Sequence, residues 1–176
     1  RQRLPRKAGM AASLGTAVHA SIEDLLNLEL DGRSADETGW LPLTAEGFLK
    51  TRWDEEKAAF MATPRRPDWK DAKWSEAKKQ QKGGIVLLLD HIGAKHLGHE
   101  QITVALWRHL QSLTIAVEGE LVTSDGRLMG RLDLLFADVD DAGQLQGWLV
   151  ADLKTGNAPT EACLLYTSPS PRDSLE

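Results

Sequence analysis

Residues 115–156 read IAVEGELVTSDGRLMGRLDLLFADVDDAGQLQGWLVADLKTG, and this stretch decides the architecture. Residues 115–123 alternate in polarity, and Ser124-Asp125-Gly126-Arg127 follows with the Asp-Gly pair that closes hairpins. A second strand spans 128–139, a second turn Asp140-Asp141-Ala142-Gly143, and a third strand 144–154 ending at Thr155-Gly156. Three strands joined by two tight turns predict an antiparallel meander.

The upstream sequence has a different period. Leu14, Val18, Ile22, Leu25 and Leu26 share a helical face in a helix that Ser13 can cap and Asp31-Gly32 can stop. Thr44 can cap a second helix through Phe48, Leu49, Trp53, Phe60 and Met61, ended by Thr63-Pro64. Residues 64–84 are polar and basic with a Gly-Gly exit, 85–91 suit a buried strand or a buried helix, and 100–113 read as helix. Helices followed by a meander make an α/β or α+β layout.

Several classes are excluded by composition. The chain has 176 residues, 41% hydrophobic and 27% charged, which is enough apolar material for one core. The longest apolar run, 85–89, is far short of the ~20 residues of a membrane-spanning helix. One cysteine, Cys163, cannot supply a disulfide, a multi-cysteine zinc site or an iron–sulfur cluster. The basic opening lacks a signal peptide's apolar centre, so a cytoplasmic setting is expected. A net charge of −5 argues against nucleic-acid binding by bulk charge, but not against a local basic track beside an acidic centre.

The chemistry-bearing residues lie on the second and third strands and the first helix. Asp152 and Lys154, two apart, point to one side of their strand. Asp133 sits among Leu132, Leu134 and Leu135, so it must be paired or bind something. One hairpin can bring Asp133 and Asp152 to a shared hard cation, with the Lys154 ammonium near a phosphate. His19 and Glu23, four apart, project together from the first helix.

Gly15-Thr-Ala-Val-His19, Gly130-Arg-Leu-Asp133 and Asp152-Leu-Lys-Thr-Gly156, in that order, resemble the PD-(D/E)XK nucleases of the RecB/AddB type and the related CRISPR-associated exonucleases. The resemblance implies an α/β, restriction-endonuclease-like core: a mixed sheet with a late antiparallel meander, flanked by helices. It implies a metal-dependent DNA nuclease, an exonuclease acting in recombination, repair or phage DNA processing, with a helicase or recombination partner. On this likeness His19, Asp133, Asp152 and the Leu153 carbonyl would hold Mg²⁺ or Mn²⁺. Lys154 would orient water and stabilise charge on the phosphate, and Glu118 or Glu120 would be accessory. The cysteines of the iron–sulfur relatives are absent, so no cluster is expected.

Arg65, Arg66, Lys70, Lys73, Lys78, Lys79 and Lys82, interleaved with Trp69 and Trp74, have the composition of a DNA track, and equally of a solvated helix with core tryptophans. Residues 163–176 show no periodicity and resemble the translated adapter read-through of environmental open reading frames. A truncated domain over 1–162 with a non-native tail is expected, lacking the Gln- and Tyr-bearing helix that such nucleases place after the D-x-K strand.

Three other functions fit the sequence less well. Ser75-Glu-Ala-Lys78, Ser124-Asp-Gly126 and Lys154-Thr-Gly156 echo β-lactamase-like enzymes, but Gly126 stands in place of the Asn and the last interval is too short. His91, His96, His99 and Glu100 lack the H-E-x-x-H spacing of a zinc protease. A nuclease fold that binds DNA or a partner without cutting is the third, and the presence of all four site residues argues against it.

Overall fold

The computed structural model describes residues 9–63, 68–122, 126–127 and 129–153, with Leu121 and Arg131 described by backbone alone. Four helices, α1 (Met10–Leu26), α2 (Trp40–Met61), α3 (Trp74–His91) and α4 (Val104–Leu113), precede three strands. The strands β1 (Thr114–Val122), β2 (Met129–Val139) and β3 (Leu145–Ala151) lie side by side in sequence order. Both pairings are antiparallel, with Val117 opposite Leu134 and Leu134 opposite Ala151. This is the expected meander beside helices, an α/β arrangement, but among the described residues every pairing is antiparallel rather than part of the expected mixed sheet.

Helix starts differ from the expected ones. Gly9, not Ser13, precedes α1, and Ser13 lies inside the helix. Gly39 precedes α2 in the left-handed region (φ 76°), and its N–H donates to the Glu100 carbonyl (2.9 Å). Thr44 lies one turn further on, where its hydroxyl donates back to the Trp40 carbonyl (2.8 Å). For α2, the tertiary bond from Gly39 to Glu100 ties the chain upstream of the start that local cap chemistry predicted. Residues 85–91 resolve as helix, the second half of α3, with Ile85, Leu88 and Leu89 buried.

The core lies between the helices and one face of the sheet. Leu14, Val18, Ile22 and Leu25 of α1 meet Leu41, Leu49, Ile85, Leu88, Trp107, Leu134 and Phe136. Trp107 is fully buried, edge-on to Trp40 (5.9 Å between centroids), and its Nε1 donates to the Leu25 carbonyl (2.9 Å). Trp40 Nε1 donates to the Ile102 carbonyl (3.1 Å). Each indole thus buries its ring without leaving its N–H unpaired. Arg52 of α2 forks onto both oxygens of Asp24 of α1 (2.8 and 2.7 Å) and reaches Glu55 (3.0 Å), which holds its guanidinium more firmly protonated than usual. These contacts fix α1, which carries His19, against the other helices.

Candidate metal centre

Side chains from three elements converge on one cluster. His19 projects from the middle of α1, Asp133 from β2, and Glu118 from β1. Their candidate ligand atoms all lie within 4.8 Å of one another. They border a cleft of about 680 Å³ whose other lining residues are Ala11, Ala12, Gly15, Thr16, Ala20 and Glu23, all from α1. These positions recur at helical spacing, and most are small, so the backbone of α1 forms much of one wall.

Asp133 is the centre of the group. Its Oδ2 accepts the Leu153 N–H (2.9 Å) and lies 3.9 Å from His19 Nδ1. The register that places Leu134 opposite Ala151 sets Asp133 across from Asp152, and their carboxyls hydrogen-bond. The Asp133 pKa is raised, by burial first and then by the bond to Asp152 and its negative charge, while the Leu153 N–H and His19 pull it down. Burial and the Asp152 carboxyl thus disfavour the ionised form of Asp133.

Glu118 faces Asp133 from the other side, between the pairs Val117–Leu134 and Gly119–Leu132. Its φ of 51° is left-handed, an uncommon state for a residue with a side chain. Sequence alternation grouped Glu118 with Glu120, whereas only Glu118 joins the His19 and Asp133 group among the described residues, and Glu120 is exposed. Nothing in Val117-Glu118-Gly119-Glu120 signals the backbone irregularity. Asp152 touches Asp133 yet falls outside the set with the 4.8 Å mutual spacing.

The donor set suits a hard divalent cation. Carboxylates and an imidazole converge, and His19 Nε2 is buried with no hydrogen-bond partner among the described residues. Donors around an ion at ~2.1 Å lie at most ~4.2 Å apart, so closing the observed spread takes a side-chain shift of about half an ångström. Leu153 enters through its N–H, which orients Asp133. Lys154, Arg65, Arg66 and the tail 163–176 lie outside the described residues.

A sequence profile of the PD-(D/E)XK nuclease superfamily matches residues 1–169. The chain belongs to that superfamily. No curated protein and no solved structure matches it. PD-(D/E)XK nucleases generally use divalent metals, and among the described residues His19, Glu118 and Asp133 form a group that could hold one.

The basic segment is less simple than its composition. Trp69 is buried, edge-on to Trp53 (4.8 Å) and Phe60 (5.3 Å), which favours the core-tryptophan alternative over a base-stacking surface. Trp74 is partly buried against Trp53 (5.3 Å), and the Lys78 ammonium lies 5.8 Å from its ring centroid. Lys73 pairs with Glu76 and Lys78 with Glu46, while Lys70, Lys79 and Lys82 are exposed. His91, His96, His99 and Glu100 form no donor group among the described residues; His91 instead bonds the Ala137 carbonyl (3.2 Å). No described helix is long and apolar enough to cross a membrane.

Proposed function

We propose that this PD-(D/E)XK protein is a Mg²⁺- or Mn²⁺-dependent deoxyribonuclease that degrades DNA from its ends, in recombination, repair or phage DNA processing. The convergence of His19, Glu118 and Asp133 within 4.8 Å beside an open cleft carries this reading, with Asp152 hydrogen-bonded to Asp133. A bound divalent cation would polarise the scissile phosphate and lower the pKa of an attacking water. His19, Asp133 and Asp152 would hold it, with Glu118 and the Leu153 carbonyl as further donors. The Leu153 N–H keeps the Asp133 carboxylate turned toward His19. Lys154, two residues beyond Asp152, would orient the water and stabilise the charge developing on the phosphate. Lys70, Lys79 and Lys82, with Arg65 and Arg66, would track the phosphate backbone, the indoles lending rigidity rather than stacking.

The reading is tested by incubating linear and covalently closed DNA with the protein and either metal. Linear DNA should shorten and closed circles survive, and Asp152→Ala or Lys154→Ala should abolish the loss. Cleavage of closed circles would make the enzyme an endonuclease. DNA binding without cleavage under both metals would replace the proposal with a silent, DNA-binding nuclease fold.

A further inference from the structure

We propose that α3, which contributes no donor to the centre, sets its geometry through two positioning residues, Gln81 and Gly84; the inference rests on the metal reading above. Ala77, Gln81, Gly84, Ile85 and Leu88 form the buried stripe of this helix. Gln81 is 4% exposed, and its Nε2 donates to Ser21 Oγ (3.0 Å) on α1 and to the Ala45 carbonyl (2.8 Å) on α2. Ser21 Oγ in turn donates to the Val18 carbonyl (2.7 Å). Val18 and Ser21 flank His19, so one buried amide pins the turn of α1 that presents the imidazole. A buried polar chain with every donor used specifies one arrangement of the elements it joins.

Gly84 lies three residues further along the same stripe. A Cβ there would sit 2.6 Å from Ile22 Cδ1 and 3.8 Å from Leu153 Cδ2. Ile22 is three residues after His19 and 1% exposed, so its tip has little room to swing aside. Leu153 is the residue whose N–H holds Asp133. One turn of α3 therefore abuts both arms of the centre, the helix bearing His19 and the strand end that orients Asp133. Its neighbour Gly83 is exposed, and a Cβ there meets nothing within 4 Å. The pair supplies its own control, since both glycines weaken helix propensity alike and only Gly84 is enclosed.

The test is Mn²⁺ binding to the full chain, read from loss of the free-Mn²⁺ paramagnetic resonance signal, in variants with wild-type circular dichroism. Gly84→Ala should weaken binding about tenfold, as loss of support behind metal ligands does, and Gly83→Ala should leave it unchanged. Adding Ile22→Val to Gly84→Ala removes the Cδ1 that the new methyl strikes and should restore affinity. Should Gly84→Ala not fold, Gln81→Met, which deletes both hydrogen bonds at similar volume, carries the same expectation. A folded Gly84→Ala chain that binds Mn²⁺ as tightly as wild type, or a Gly83→Ala chain weakened equally, overturns the role of α3. A wild-type chain that takes up no Mn²⁺ overturns the metal reading itself, so the two failures are distinct.

Discussion

Replacing Asp133 by Asn should move stability in opposite directions with and without metal. In the metal-free protein the Asp133 pKa is raised, chiefly by burial and by the Asp152 carboxyl bonded to it. The folded state then binds more protons than the unfolded chain between the ordinary aspartate range and the raised value. Stability therefore falls as pH rises through that window and stays lower at neutral pH. The Asp133→Asn side chain escapes this penalty and can still accept the Leu153 N–H through its amide oxygen. The metal-free variant should melt above wild type at neutral pH, and the gap should close below the ordinary aspartate pKa. With Mn²⁺ at 100 times its dissociation constant, wild type should gain about 2.7 kcal/mol. At about 2–4 °C per kcal/mol for a chain of this size, that is a rise of about 5–10 °C, and the variant should show almost none of it. Scanning calorimetry across pH, with and without Mn²⁺, reads both effects. A variant that melts below wild type without metal, or one that keeps the full Mn²⁺ rise, would refute the reasoning.

Other perturbations have separable signatures. Trp107→Ala removes a fully buried indole and its bond to Leu25, and should cost about 3–5 kcal/mol in urea denaturation. Gly39→Ala meets no atom within 4 Å, so it should cost only the left-handed backbone term, about 1–2 kcal/mol, read in the same way. Lys79→Glu with Lys82→Glu should weaken DNA binding and lower the slope of log affinity against log salt by about one per lost phosphate contact, measured by fluorescence anisotropy. Trp69→Phe should leave DNA affinity unchanged, because that ring lies against Trp53 and Phe60 rather than at the surface.

The sheet was legible because its signals are local. An Asp-Gly pair, alternating strands and the Asp140–Gly143 turn define the pairings of β1, β2 and β3 with little help from the rest of the chain. The α1 stripe of Leu14, Val18, Ile22 and Leu25 was equally plain. The starts of α1 and α2 were misplaced because a Ser or Thr caps only where the backbone leaves the helix, and here Gly9 and Gly39 occupy those points. Residues 85–91 stayed ambiguous because a short apolar run has no period, and packing against α1 settled it as helix.

The site divides in the same way. The sequence alone offered His19, Asp133 and Asp152 as candidate donors, through the resemblance of their short motifs to those of a nuclease family. Only the tertiary structure grouped Glu118 rather than Glu120 with His19 and Asp133, placed Trp69 in the core, and set Gly84 of α3 close against Ile22 and Leu153. The physical reason is range. Residue type and strand alternation act over a few neighbouring positions, whereas a left-handed residue at 118, an enclosed indole and a close helix approach arise only when distant segments compete for the same space.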